Sequence, residues 1–278
     1  MTDHYGVVGN PVAHSISPQI HAEFARQTAQ DLDYVRLLAP LDGFRATVTK
    51  FRDAGGKGVN VTLPFKLEAW NFVQAHAGHA LDAGAVNTID FRNGATVGYN
   101  TDGIGLIRDL EQNLGLAVAD KRVLLMGAGG AAQGVLCPLL EHAPALLVVV
   151  NRTVAKAEQL VRRACERKGP LRILEWCSYS KLAEERFDLV INATSASLAG
   201  ELPPLPASLF APYSMAYDMM YGKDPTPFLE FARRHGAARV SDGLGMLVEQ
   251  AAESFFIWRN VRPQTAPVIA LLRAQGKQ

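Results

Sequence analysis

The chain has 278 residues, of which 48% are hydrophobic and 20% charged, and carries a formal net charge of +1. That is the composition of a folded protein with room for two domains or one large one. The near-neutral balance argues against nucleic acid or a membrane surface as partner, and the apolar runs are too short to span a bilayer.

Tyr5 to Gly9 is a short apolar strand. Ser17-Pro18 opens a helix with Ser at N-cap and Pro at N1, followed by Ile20, Phe24 and Ala25 at helical spacing. Tyr34 to Ala39 reads as a strand, Gly43 to Ala54 as a helix, and Val59 to Leu63 as a strand that stops at Pro64. Such alternation predicts a mostly parallel sheet with covered faces. Val86–Phe91 and Thr96–Tyr99 flank Asn93-Gly94, a hairpin-turn pair. A second half begins near Asp102 with a helix over 104–114. A strand (122–126), a helix (130–141), a strand (146–150) and a helix (153–167) follow. Short strands are expected at 171–174, 189–191, 215–217 and 238–240. Gly243 to Val261 closes as a helix with an apolar stripe at Leu247, Ala251, Phe255 and Trp258. The second half is a doubly wound α/β pattern, and the chain crosses between halves near 100–103 and 241–243. Cys137, Cys165 and Cys177 are odd in number and lack metal-ligand spacing, so they read as thiols of a reducing compartment. No charged segment followed by an apolar one marks a secretory signal, and a cytoplasmic enzyme fits these features.

Gly127-Ala128-Gly129-Gly130-Ala131-Ala132 follows the apolar strand Val123 to Met126 and opens a helix. A Gly-rich turn in that place offers backbone N–H groups to a pyrophosphate. The tip of the next strand selects the nucleotide, with a carboxylate there for NAD and a basic residue for a 2′-phosphate. Here the tip is Asn151-Arg152-Thr153, with Lys156 one turn later and no carboxylate. The expected cofactor is therefore NADP.

Polar residues just after strands are the other candidates. Ser15 and Ser17 stand at i and i+2, where two hydroxyls on one side suit a carboxylate, or where Ser17 merely caps a helix. Lys66 follows the break at Pro64 and is either a solvated amine or an acid–base group. Asn87 holds a substrate hydroxyl or closes a turn, and Asp102 is an N-cap or a functional carboxylate. Asn192-Ala193-Thr194-Ser195 lies beside the nucleotide or is a plain turn. His14 and His21 have no metal-ligand spacing with the other histidines, so no metal site is expected.

Taken together these segments resemble the shikimate dehydrogenase family. The matches are Gly9 to Pro18, Asn60 to Lys66, Gly84 to Thr88, Asn100 to Gly103, Gly127 to Ala132, Asn151 to Thr153, Asn192 to Ser195, Tyr217 to Tyr221 and Asp242 to Ala251. They follow the family's order and spacing from the first strand to the last helix. The resemblance implies an N-terminal α/β substrate domain, residues 1–101 completed by C-terminal helices in 243–278. A doubly wound Rossmann-type NADP-binding domain occupies 102–242. It implies that Ser15 and Ser17, helped by Tyr221, take the substrate carboxylate. Thr62, Lys66, Asn87, Asp102 and Gln250 then surround the ring hydroxyls and the reacting carbonyl, with Lys66 and Asp102 as the catalytic pair. Gly127, Ala128, Gly129, Gly130 and Ala131 hold the pyrophosphate. Asn151, Arg152, Thr153 and Lys156 take the 2′-phosphate, and Met219 and Gly243 lie near the nicotinamide. Ala22 departs from the family, which often has Asn there, as does Ala131-Ala132-Gln133, where some members carry a basic residue.

The implied activity is NADPH-dependent, reversible reduction of 3-dehydroshikimate to shikimate in aromatic amino-acid biosynthesis. The enzyme would be cytoplasmic and monomeric or homodimeric, with no nucleic-acid or membrane partner. The chemistry agrees: hydride addition to a ketone builds alkoxide charge, which an ammonium stabilises and protonates. Two other readings stay open here: quinate or NAD in place of shikimate or NADP, and a nucleotide-binding regulatory protein without catalysis.

Overall fold

A computed structural model describes residues 2–194, 196 and 200–276. The chain forms two compact units, Met1–Gly105 with Leu247–Leu272 and Leu106–Met246 with Arg273–Gln278.

The first unit runs β1 (Asp3–Gly9), α1 (Ser17–Thr28), β2 (Leu32–Leu38), α2 (Phe44–Asp53), β3 (Gly56–Val61), α3 (Lys66–Phe72), β4 (Ala75–His76), α4 (Ala80–Ala83), β5 (Thr88–Asp90), β6 (Val97–Tyr99) and the first turn of α5 (Asp102–Arg108). Its six strands are ordered β2-β1-β3-β5-β6-β4. β1 runs parallel to β2 and β3, and β4 parallel to β6, but β5 is antiparallel to both β3 and β6. The sheet is thus mostly parallel, as expected, with β5 as its one antiparallel member. The β5–β6 link is one short turn with Gly94 at φ +75, and a turn of that length can only return the chain antiparallel.

Val59 and Val61 of β3 point into a core with Phe44, Val48, Phe65 and Ile89. The alternate residues face the other side, where Tyr5, Val7, Tyr34 and Trp258 cluster. Gly58 is required on that side: a Cβ there would lie 2.4 Å from the Trp258 indole nitrogen, which donates to the Ile89 carbonyl at 3.1 Å.

The second unit runs β7 (Arg122–Met126), α6 (Gly130–Glu141), β8 (Leu146–Val150), α7 (Val154–Lys168), β9 (Leu174–Cys177), β10 (Phe187–Asn192), β11 (Phe210–Asp218), α8 (Pro227–Arg234) and β12 (Arg239–Ser241). The strands are ordered β12-β11-β10-β7-β8-β9, and all five pairings are parallel. Relabelled within the unit this is 6-5-4-1-2-3, the doubly wound Rossmann order, and its switch point lies between β7 and β10. Both faces are covered. Val123, Leu125, Leu147, Val149, Leu189 and Ile191 enter one core, and the intervening Leu124, Met126, Val148, Val150 and Val190 enter the other. This is why the strands read as unbroken apolar runs.

Two helices close the chain, α9 (Leu244–Arg259) and α10 (Ala266–Gly276). The unit boundaries fall inside α5, α9 and α10 rather than in loops. The helix expected over 104–114 starts earlier, at Asp102, and changes after Arg108 to a π-helical turn, Asp109–Asn113. There the buried Asp109 carboxylate accepts from Tyr217 Oη at 2.6 Å and Asn113 Nδ2 at 3.1 Å. The strand expected at 171–174 is displaced to Leu174–Cys177, and Leu171 and Arg172 lie before it. Cys137 is buried and Cys165 and Cys177 half-buried, all as thiols. Among the described residues no helix is long and apolar enough to cross a membrane.

Candidate active site

In the first unit the ends of β1, β2 and β3 are laced together by backbone. Asn10 N–H donates to Leu63 O at 3.0 Å, Ala39 N–H to Gly9 O at 3.3 Å and Thr62 N–H to Val8 O at 2.9 Å. A Cβ on Gly9 would sit 2.4 Å from Thr62 Cγ2, so Gly9 leaves the space that Thr62 occupies.

Ser17 does not cap α1. The helix begins at Ser17 with Ile16 as its N-cap residue, and no side chain caps it. The Ser15 hydroxyl instead donates to Ser17 Oγ at 3.1 Å, so the two hydroxyls share one side as expected. Ser15 is half-buried and Ser17 buried. Ala22, the departure on α1, is exposed.

Lys66 is the first residue of α3, and its ammonium donates to Asp102 Oδ2. The two side chains are 16% and 8% exposed, so this is a largely buried ion pair. Asp102 opens α5, but its carboxylate is not spent on the helix end. Oδ1 accepts from Asn87 Nδ2 at 2.9 Å and Oδ2 takes Lys66, while its own N–H donates to Asn100 Oδ1 at 3.1 Å. Asn87 likewise does more than close a turn: its Oδ1 accepts from Thr101 N–H at 2.9 Å, and its Nδ2 lies 3.4 Å from Gln250 Oε1. Lys66, Asn87, Asp102 and Gln250 thus form one cluster inside the first unit. An ammonium, a carboxylate and oriented amides together can bind hydroxyls and exchange a proton.

The other predicted residues lie in the second unit. Gly127 has φ +110, a region open to glycine, and its Cβ position lies 3.0 Å from Ala193 O after β10. Around Gly129 and Gly130 there is open space instead. Gly129 is the N-cap residue of α6, and Gln133 N–H makes an early helical bond to Gly129 O at 2.9 Å. The N–H groups of Gly130, Ala131 and Ala132 therefore point out of the first turn, and with Ala128 they form a cradle at the switch point that fits a pyrophosphate. Asn151 follows β8 and turns its amide onto Thr153 O at 2.9 Å, leaving Arg152, Thr153 and Lys156 exposed. That is a basic surface suited to a further phosphate. Burial lifts the nearby Tyr179 phenol to about 12, against the pull of Arg152.

Asn192, at the end of β10, donates to Asp218 Oδ2 at 3.1 Å and accepts from Thr194 Oγ1 at 2.7 Å. Ser195 lies outside the described residues. Met219 N–H donates to Asn192 O at 2.9 Å, and a Cβ on Gly243 would lie 2.2 Å from Met219 O. Met219 and Gly243 are therefore pressed together. Tyr221 is half-buried on the loop after β11, and burial raises its phenol pKa.

Sequence reasoning missed a polar layer behind Asn87. Asn60 donates to Thr88 Oγ1 at 3.0 Å and Ser254 Oγ at 2.9 Å, and accepts from Tyr34 Oη at 2.7 Å. Thr101 Oγ1 lies 3.4 Å from Ser254 Oγ. The available signal was the i, i+4 pair Gln250 and Ser254 on a helix otherwise read for its apolar stripe.

Known proteins share this arrangement along the chain. Residues 7–89 match the shikimate dehydrogenase substrate binding domain, 109–199 the shikimate / quinate 5-dehydrogenase family and 243–273 the shikimate 5′-dehydrogenase C-terminal domain. A protein of Nitrosospira multiformis named shikimate dehydrogenase (NADP(+)) is 60% identical over 274 residues, 99% of this chain and 98% of that protein. The crystal structure of an Ael1 enzyme from Pseudomonas putida superposes with a TM-score of 0.90 at 47% identity, covering 98% of each chain. Shikimate 5-dehydrogenase from Thermus thermophilus, solved with NADP(H) and shikimate, gives 0.86 at 31% identity over 98% of this chain and 99% of that one. With its Rossmann-ordered second unit, its buried lysine–aspartate pair and near-full-length identity of this size, the chain belongs to the shikimate dehydrogenase family.

Proposed function

We propose that the protein is an NADP-dependent oxidoreductase that interconverts 3-dehydroshikimate and shikimate in aromatic amino-acid biosynthesis. The observation that carries the reading is the Lys66–Asp102 pair, largely buried and tied to Asn87 in the first unit. When bound, NADP(H) supplies or accepts the hydride. The protein's residues do the rest. In the direction of reduction, the Lys66 ammonium stabilises the charge growing on the carbonyl oxygen and gives that oxygen a proton from Nζ. In the reverse direction the same nitrogen takes the hydroxyl proton. Asp102 holds the lysine through Oδ2, and Asn87, Thr62 and Gln250 orient the ring hydroxyls. Ser15 and Ser17 anchor the carboxylate, with Tyr221.

In this reading the first unit, residues 1–101 completed by C-terminal helices in 243–278, is the substrate domain, and 102–242 bind the nucleotide. Gly127 to Ala131 cradle the pyrophosphate, Asn151, Arg152, Thr153 and Lys156 hold the 2′-phosphate, and Met219 and Gly243 border the nicotinamide. The related Thermus thermophilus enzyme, solved with NADP(H) and shikimate, supports the choice of ligands. Three thiols suit a cytoplasmic enzyme, and a monomer or homodimer belongs to the same reading. Steady-state kinetics with shikimate and quinate, each against NADP and NAD, test it. Shikimate with NADP should give the highest kcat/KM, and absence of shikimate oxidation with NADP overturns the assignment.

A further inference from the structure

The polar layer behind Asn87 has a direction, and the direction follows from counting protons. The Tyr34 phenol has one proton and donates it to Asn60 Oδ1 at 2.7 Å. With its oxygen so engaged, Asn60 presents its amide N–H groups to Thr88 Oγ1 at 3.0 Å and Ser254 Oγ at 2.9 Å. Thr88 accepts from Asn60, and its one proton is shared between Asn87 Oδ1, 3.0 Å away, and Ser254 Oγ, 2.8 Å away, whose own proton goes to the Gln250 carbonyl at 3.0 Å. Asn87 Oδ1 then receives two donors, Thr88 O–H and Thr101 N–H at 2.9 Å. An amide oxygen held by two donors leaves its nitrogen on the other side, where Nδ2 donates to Asp102 Oδ1 at 2.9 Å. Every bond from Tyr34 to Asp102 is donated in one sense. Asn60, Asn87, Thr88, Thr101 and Asp102 are all buried, as is Ser254. In so dry a layer each bond polarises the next, and a reversed amide would turn an oxygen onto a carboxylate.

We infer that Thr88, with Asn60 and Tyr34 behind it, is a positioning residue: it fixes the Asn87 amide so that an N–H faces Asp102, and thereby sets the carboxylate that holds Lys66. The inference rests on the proposed shikimate chemistry, in which Lys66 and Asp102 act. Thr88 acts only through Asn87 and touches neither substrate nor cofactor in this scheme.

The test compares Thr88→Val, Thr88→Ser and Tyr34→Phe in the full-length protein. Valine keeps the shape and removes the donor, and serine restores it. Phenylalanine keeps the ring that stacks on His21 at 4.2 Å and removes only the hydroxyl. Thr88→Val should lower kcat for shikimate oxidation by about fivefold to tenfold, the equivalent of one neutral hydrogen bond. KM for shikimate should change less than kcat, since Asn87 also orients a ring hydroxyl, and the dissociation constant of NADPH should stay within about twofold. Thr88→Ser should return kcat to near the wild-type value, and Tyr34→Phe should fall in the same direction as Thr88→Val. Should Thr88→Val fail to fold, Tyr34→Phe carries the test alone, and an undiminished kcat there overturns the inference. Equal kcat in Thr88→Val and Thr88→Ser, or a loss confined to KM, also overturns it. A wild-type protein that does not oxidise shikimate with NADP brings down the underlying function and this inference together. An active wild type with unaffected variants brings down the inference alone.

Discussion

Removing the Lys66 ammonium should separate two quantities that usually fall together. Lys66→Ala deletes the group assigned to proton transfer, a contribution of roughly 10²–10⁴-fold. In barrier terms that is about 3–5 kcal/mol. It also strands Asp102, which is 6% exposed and keeps the Asn87 amide as a side-chain partner. Breaking a fully buried pair costs about 3–5 kcal/mol of stability, but the lysine side chain is 16% exposed, so water reaches Asp102 once it is gone. A loss of about 1–3 kcal/mol is expected after that screening. Adding Asp102→Asn removes the stranded charge. The double variant should therefore regain part of the stability while its kcat falls no more than a few-fold below the worse single variant, because residues acting as a unit are not additive. The absorbance of NADPH formed during turnover, NADPH titration and urea unfolding read the three quantities. A Lys66→Ala protein that binds NADPH normally and keeps kcat within about tenfold of wild type would falsify the catalytic role, that loss being below the range for positioned proton transfer. Multiplying losses in the double variant would instead make the two residues independent.

Arg152→Ala, at the exposed tip after β8, should raise KM for NADP by about tenfold or more, the loss of one charge-assisted contact, and leave that for NAD nearly unchanged; equal losses refute the phosphate assignment. Ser15→Ala should act chiefly on KM for shikimate, with a smaller fall in kcat, and an unchanged KM removes Ser15 from the carboxylate site. His21 gives a pH prediction. Burial lowers it from 6.5 to about 3, outweighing the opposing effect of the nearby Asn60 side chain, and among the described residues neither ring nitrogen lies within hydrogen-bond geometry of a partner. The unfolded chain therefore binds a proton that the folded chain refuses, and stability drains away as pH falls below about 6.5, at about 1.4 kcal/mol per unit. In His21→Phe, set among Phe24, Tyr34, Phe255 and Trp258, that part of the acid sensitivity should vanish. Parallel urea midpoints for the two proteins from pH 7 to pH 5 would count against it.

The second unit was readable because each of its strands is covered on both faces. Val123 to Met126 and Leu146 to Val150 carry apolar side chains at every position, and the glycine turn between β7 and α6 has no other economical explanation. The short elements of the first unit carried no such pattern. α3 is seven residues long and β4 two, and no apolar period can establish itself over that length. The candidate site divides in the same way. Lys66 and Asp102 open helices and Asn87 directly precedes β5, positions that invite a functional reading, and the family resemblance gave them roles. Asn60 invited the opposite reading. Between Val59 and Val61, simple alternation sends it to the face away from the apolar core, and a polar residue there is normally solvated. That face is instead covered by α9, which brings Ser254 onto Asn60 from 194 positions along the chain. Hydrophobic pattern predicts burial only while burial and apolarity coincide. Where a protein encloses a hydrogen-bonded polar layer to hold reactive groups in place, the pattern points the wrong way, and only tertiary contacts reveal which hydroxyls and amides belong to the site.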